Sequence, residues 1–200
     1  MSRIQISTDG ATKPTTSTGG WAAVIRTEDG RQEISGRAQD TTISRMELRA
    51  ILEGLKAVGD GENVLLRTDS EYALGVAFRG NTIRTNGELV EAIQERAEAL
   101  NVECEHVESH AGDTDNGRAD ALAKEEMKRA HEKITGGEAP YLIGGDVTGD
   151  DAEEVKSILK DHGLRWDVEA FGWVTWDREK WEAAVKDVGA DMETERKAVV

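Results

Sequence analysis

Val64-Leu65-Leu66-Arg67-Thr68-Asp69-Ser70 opens on three consecutive apolar residues and closes on an acid followed by a serine suited to capping a helix. A short, wholly apolar run fits a central strand covered on both faces. It predicts a strand that delivers Asp69 at its end, with Asp69 or Ser70 capping the helix that follows. Toward the N-terminus, Met46, Ala50, Ile51, Leu55 and Val58 form a helical stripe over 44–58, stopped at Gly59, with Glu47 in the first turn. Three strands precede that helix. Ile4 and Ile6 alternate with Gln5 and Ser7 and run into a turn at Thr8-Asp9-Gly10-Ala11, which puts Asp9 at a strand end. After a loop over 12–20, Trp21 to Ile25 reads as the second strand and Arg31 to Ala38 as the third, joined by a hairpin turn at Asp29-Gly30. Toward the C-terminus, Leu89, Ile93, Ala97 and Leu100 mark a helix over 88–100, and 102–107 alternates as a strand. Residues 112–117 read as a polar loop, and 118–130 as a helix with Ala119, Leu122, Ala123 and Met127 inward and Asp120 near its start. Strands in a run, then helix, strand, helix, strand and helix, predict a mixed α/β domain over 1–135.

Gly136-Gly137-Glu138-Ala139-Pro140 has the composition of a linker. Beyond it a strand at 141–143, a helix over 151–161, a strand at 172–175 and a helix over 178–188 predict a small α/β module over 141–189, with 190–200 a frayed tail. Four of the five tryptophans, Trp166, Trp173, Trp176 and Trp181, fall in this module. They read either as its own small core or as a clamp that stacks on bases, the first being favoured; a protein-interaction surface is equally open.

Composition bounds the chemistry. A single cysteine, Cys104, permits no intramolecular disulfide, and without a CxxC pair there is no thiolate cluster for zinc. No apolar stretch reaches the ~20 residues of a membrane span, and the N-terminus lacks a signal-like segment. The expectation is a cytoplasmic monomer. The net charge of −15 is unusual for a protein that meets a polyanion. Residues 1–135 carry 17 Lys+Arg against 24 Asp+Glu, residues 136–200 carry 8 against 16, and arginine outnumbers lysine 15 to 10. Acids spread this evenly suggest a surface adapted to high salt, where the Debye length falls to about 3 Å at 1 M and binding rests on short-range contacts. An ordinary acidic cytosolic protein is the plainer alternative.

Asp9, Glu47, Asp69 and Asp120 sit where the topology gathers functional groups, at strand ends and on the helices between them. Four unpaired carboxylates in one cleft repel each other, so their convergence makes chemical sense around divalent cations, and oxygen-only ligands favour magnesium or manganese over zinc. Each motif alone has a plain structural reading: Asp9-Gly10 as a turn, Glu47 as an acid at a helix N-terminus, Thr68-Asp69-Ser70 as a cap.

In order and spacing together, five blocks resemble type 1 ribonuclease H: Thr8-Asp9-Gly10-Ala11, Gly19-Gly20-Trp21-Ala22-Ala23-Val24-Ile25, Arg45-Met46-Glu47-Leu48-Arg49-Ala50, Thr68-Asp69-Ser70-Glu71-Tyr72, and His110-Ala111-Gly112 followed by Asn116-Gly117-Arg118-Ala119-Asp120. The resemblance spans about residues 1 to 130. It implies a five-stranded mixed sheet flanked by helices, and an endonuclease that hydrolyses the RNA strand of RNA–DNA hybrids with two Mg2+ or Mn2+ ions, leaving a 3′-hydroxyl and a 5′-phosphate. By that resemblance Asp9 bridges both ions, Glu47 and Asp69 complete the water-side site, Asp120 holds a metal and positions the nucleophile, and His110 assists product release or proton movement. It implies substrate contacts at Gly10, Ala11, Thr42, Ser44, Asn86 and Asn116.

The chain also departs from the family. Thr15, Ile43 and Ser44 stand where hybrid-binding asparagines and a glutamine are usual. In the DNA-phosphate pocket Thr42 and Asn86 match, while Asp40 replaces an arginine. Only Arg79 and Arg84 remain where some members carry a basic protrusion, as in the short archaeal and retroviral forms. Looser strand selection follows as an expectation, with double-stranded RNA as a second substrate. The alternatives are a nuclease of the same fold acting on double-stranded RNA or branched DNA, and a non-catalytic nucleic-acid-binding module.

Overall fold

A computed structural model of the 200-residue chain describes residues 3–108, 114–138, 140–144, 152–167, 172–188 and 194–196. The chain divides into two compact units, Met1–His131 and Glu132–Val200. In the first, strands β1 (Ile4–Lys13), β2 (Thr18–Thr27), β3 (Gly30–Ala38), β4 (Asn63–Thr68) and β5 (Asn101–His106) form one sheet in the order β3-β2-β1-β4-β5. β1 runs antiparallel to β2 and β2 to β3, whereas β4 is parallel to β1 and to β5. Helices α1 (Ile43–Lys56), α2 (Glu71–Phe78) and α3 (Gly87–Glu98) intervene, and α4 (Thr114–Thr135) follows the sheet. The expected five-stranded mixed sheet is therefore present.

The two faces of β1 are partners of different helices. Residues Ile6, Thr8 and Gly10 face α1, since a Cβ on Gly54 would lie 2.8 Å from Ile6 and 3.7 Å from Thr8, and one on Gly10 would lie 2.7 Å from the Glu47 amide nitrogen. That face holds the main core, with Ile6, Ala23, Ile25, Leu48, Ile51, Leu55, Leu66 and Ile93 buried together. On the opposite face Ala11 and Ala22 pack on Ala123 of α4. Alternation at period two is thus what aims Asp9 away from the main core and toward α4.

Several expectations need correction. β1 does not turn at Asp9: its pairing with β4 ends at Thr8 and Thr68, but pairing with β2 continues as far as Lys13, so Asp9 lies inside a strand at the point where one neighbour leaves. The turn-like composition of Thr8-Asp9-Gly10-Ala11 arises instead because Gly10 must lie flat against the α1 backbone. The loop reduces to Pro14–Ser17, and the β2–β3 turn residues are Glu28 and Asp29. The last helix of the unit starts at Thr114, four residues before the expected start at Arg118, so Asn116 and Gly117 are helical rather than loop residues. Acidic Asp115 in its first turn suits the helix dipole and is gripped by Arg26, whose Nε and Nη2 each donate at 2.7 Å to the nearly buried carboxylate. With Thr42 as N-cap of α1, Glu47 falls in the second turn rather than the first.

In the second unit β6 (Tyr141–Gly144), β7 (Arg165–Asp167), β8 (Gly172–Thr175) and β9 (Thr194–Arg196) form an antiparallel sheet ordered β7-β8-β6-β9, with α5 (Ala152–Asp161) and α6 (Arg178–Val188). β9 lies in the stretch expected to be frayed; it pairs with β6 and covers its free edge. Ile143, Leu159, Leu164, Trp173 and Ala184 form a separate core, against which Trp166 and Trp181 pack. Trp166 meets Trp173 edge-on at 6.1 Å between ring centroids. No helix among the described residues is long and apolar enough to cross a membrane.

Candidate active site

Asp9 reaches the site from β1, Glu47 from α1, Asp69 from the bend after β4, and Asp120 from the second turn of α4. All four line one open cleft of about 300 Å³, together with Gly10, Asn116, Gly117 and Lys124. Four elements distant in sequence converge because β1 and β4 run parallel and their pairing ends at Thr8 and Thr68, one residue before Asp9 and Asp69, while α1 and α4 lie against opposite faces of β1. Gly20 is needed for the second of these approaches. A Cβ there would stand 2.1 Å from the Ala123 carbonyl oxygen and 2.5 Å from the Met127 amide nitrogen, so β2 and α4 touch backbone to backbone one turn beyond Asp120.

Each carboxylate has a distinct setting. Asp9 Oδ1 accepts from the Gly10 amide at 2.6 Å, yet burial, and then the charges of Asp69, Asp120 and Glu47, push its pKa up to about 7. Glu47 is raised too, by burial first and then by Asp69, against the hydrogen bond it accepts from Ser70 Oγ at 2.6 Å. The same Ser70 Oγ accepts from the Ala73 amide and so caps α2. Asp120 pairs with Lys124 one turn along, Nζ to Oδ1 at 2.8 Å, and that pairing raises the lysine's pKa. Closely spaced acids held partly out of water, with one lysine among them, carry an excess of negative charge that a hard divalent cation relieves. As the side chains stand, no three His, Cys, Asp or Glu groups among the described residues are gathered into an ion-holding cluster. Ser70 and Lys124 occupy lone pairs that ion binding would claim.

Of the positions read from the sequence, the cleft brings together Asp9, Gly10, Glu47, Asp69, Asn116 and Asp120. Ala11 is turned into the α4-side core, so its side chain faces no cleft. Thr42, Ser44 and Asn86 lie outside the lining: Thr42 caps α1, and Asn86 accepts from Arg45 Nη1 at 3.3 Å. His110 lies outside the described residues. Lys124 and Gly117 on the cleft wall, and Ser70 behind Glu47, are site residues that the sequence alone does not mark. The i,i+4 spacing of Asp120 and Lys124 was the available signal for the lysine.

The family model described as RNase H matches residues 1–128. A protein named Ribonuclease H from Rhizobium meliloti (strain 1021) is 38% identical over 141 residues, covering 64% of this chain and 92% of its own length. Another of that name from Chelativorans sp. (strain BNC1) is 39% identical over 140 residues, covering 64% and 86%. Among solved structures, the N-terminal RNase H domain of rv2228c from Mycobacterium tuberculosis, determined as a fusion with maltose-binding protein, superposes with a TM-score of 0.59 at 21% identity over 66% of this chain and 98% of that one. That last likeness speaks to the fold.

Proposed function

Because this chain belongs to the RNase H family, we propose that it is an endonuclease that hydrolyses the RNA strand of RNA–DNA hybrids. The observation that carries the reading is the convergence of Asp9, Glu47, Asp69 and Asp120 on one cleft. The family works with divalent metal ions, and the all-oxygen donor set of this cleft suits them. We assign two ions, magnesium or manganese, to the four carboxylates, where they would supply water activation and stabilisation of the departing oxygen. In hydrolysis a water oxygen joins phosphorus and the P–O3′ bond breaks, leaving a 5′-phosphate and a 3′-hydroxyl. Asp9, whose carboxylate feels the charges of the other three, would help to hold both ions. Glu47 and Asp69 are assigned the water side, and Asp120 the positioning of the nucleophile. His110 is assigned to product release or proton movement. Gly10 and Asn116, on the cleft wall, are assigned to the substrate backbone, and Thr42, Ser44 and Asn86 to the outer track of the hybrid.

We place the protein in the cytoplasm as a salt-adapted monomer, with residues 1–135 as the catalytic part and the C-terminal unit as an accessory. Support comes from the evenly acidic composition and the two separate cores. The test is incubation with a labelled hybrid, duplex RNA, duplex DNA and a four-way junction, with each metal, at low and molar salt. Metal-dependent cutting of the hybrid, lost in a folded Asp69→Asn variant, is the expected result. Binding without cutting would leave only a nucleic-acid-binding module, and preferential cutting of duplex RNA or the junction would reassign the substrate.

A further inference from the structure

Asp69 stands in a two-residue bend between β4 and α2. A carboxylate on such a bend is aimed by whatever holds its backbone. On one side the Ser70 amide donates to Thr68 Oγ1 at 3.2 Å, and Ser70 Oγ is shared between Glu47 and the α2 N-terminus. On the other side His106, the last residue of β5 and the register partner of Thr68, places Nε2 3.2 Å from the Asp69 carbonyl oxygen. A carbonyl oxygen only accepts, so Nε2 is the donor, and the contact on the other side of the ring is attractive only when Nδ1 carries a hydrogen as well, as in the imidazolium form. The opposite ring nitrogen, Nδ1, faces Glu71 Oε1 at 3.6 Å, and the other oxygen of Glu71 accepts from Arg79 Nη1 at 2.6 Å. Arg79, Glu71 and His106 therefore make a chain of polar contacts that ends on the backbone of an acid in the cleft.

We propose that His106 is a positioning residue for Asp69, with its ring oriented by the Glu71–Arg79 pair, and that it sets the affinity of the cleft for divalent cations. The arrangement repeats around a backbone carbonyl what ligand-orienting contacts do at metal sites, where the partner behind a ligand fixes its direction. None of the three residues lines the cleft, so each acts through Asp69 alone. The inference rests on the assignment of Asp69 as a metal ligand.

The test uses the full chain with Mn2+ alone as calorimetric probe, and hybrid cleavage followed as a function of metal concentration. His106→Ala is expected to weaken Mn2+ binding ~10-fold, in the range seen when a ligand's supporting partner is removed. The loss of kcat should shrink as metal is raised, with KM for the hybrid unchanged. His106→Gln, whose amide can donate from nearly the same place, should recover most of the binding. Glu71→Ala, at an exposed position, should weaken binding in the same direction and carries the test if His106→Ala does not fold. Wild-type Mn2+ affinity in a folded His106→Ala, or in Glu71→Ala where that variant carries the test, would overturn the proposal. So would a His106→Gln no better than a folded His106→Ala. A wild-type chain that binds no Mn2+ and cuts no hybrid would instead overturn the metal assignment on which it rests.

Discussion

Ser70 Oγ donates to Glu47 Oε2 at 2.6 Å while accepting from the Ala73 amide at 3.1 Å, so one hydroxyl fixes a cleft carboxylate on α1 and begins α2. Ser70 is buried, which leaves water little access to replace it. Ser70→Ala removes a helix cap, costing about 1 kcal/mol, and strips a partly buried carboxylate of a hydrogen bond, costing about 1–3 kcal/mol more. Urea unfolding should show a loss of about 2–4 kcal/mol together with reduced hybrid cleavage, and Ser70→Thr should retain most of both. An Ala variant as stable and active as wild type would show that the hydroxyl is redundant.

The second expectation concerns Asp9 and pH. Its folded-state pKa is raised, from 3.8 to about 7, mainly by burial and then by the Asp69 charge. A raised acid favours folding while protonated and loses that contribution as pH climbs from its unfolded value through its folded one. In the metal-free protein Asp9→Asn should therefore match wild type near pH 3.5. It should become the more stable of the two as pH rises, with the gap levelling off above pH 7. At about 1.36 kcal/mol per pH unit the gap reaches up to about 4 kcal/mol. Denaturant melts across pH in a chelator measure it, and adding Mn2+ at pH 8 should stabilise wild type alone. A pH-independent difference would mean that the carboxyl ionises as freely as in the unfolded chain.

Much of this site was legible from residue order alone, because the signals were local. Asp69 follows an apolar strand, Glu47 sits in an amphipathic stripe, and Ser70 is a cap by type. What escaped was set by contacts between elements. Thr8-Asp9-Gly10-Ala11 has the composition of a turn, and nothing local reveals that Gly10 is required by the approach of the α1 backbone. Asp115-Asn116-Gly117 reads as loop because its helix-supporting partner, Arg26, is 89 residues away. β9 is invisible as a strand in a charged tail, since its pairing is supplied by the edge of β6.

Gly20 gives a third expectation. A methyl group there meets backbone atoms of α4 rather than flexible side-chain ends, so the helix itself has to move. Overpacking of this kind costs about 1–3 kcal/mol. The displacement would be felt at Asp120, three residues before Ala123. Gly20→Ala should lose stability in that range and a larger share of kcat than of substrate affinity, as judged from steady-state kinetics beside a thermal melt. A fully active Gly20→Ala would mean that the β2–α4 approach has slack to spare.

The two hydrophobic cores supply the last expectation. The first is built from residues 4 to 104, with a smaller cluster extending to Met127; the second runs from Ile143 to Val188, and the two share no residue. The family match ends at residue 128. Units with separate cores unfold separately unless a large apolar interface couples them. A chain shortened to residues 1–135 keeps all of α4 and every described residue of the cleft, so it should fold, melt in a single transition and cut the hybrid with the kcat of the full chain. Its KM should also be unchanged. The removed part carries 16 acids against 8 bases, and Trp173, Trp166 and Trp181 are committed to that unit's own core rather than to an open stacking surface. A raised KM, most evident in molar salt where stacking outlasts charge attraction, would return the tryptophans to the role of a base-stacking clamp. An insoluble or unfolded fragment would show instead that the catalytic part depends on its neighbour for stability.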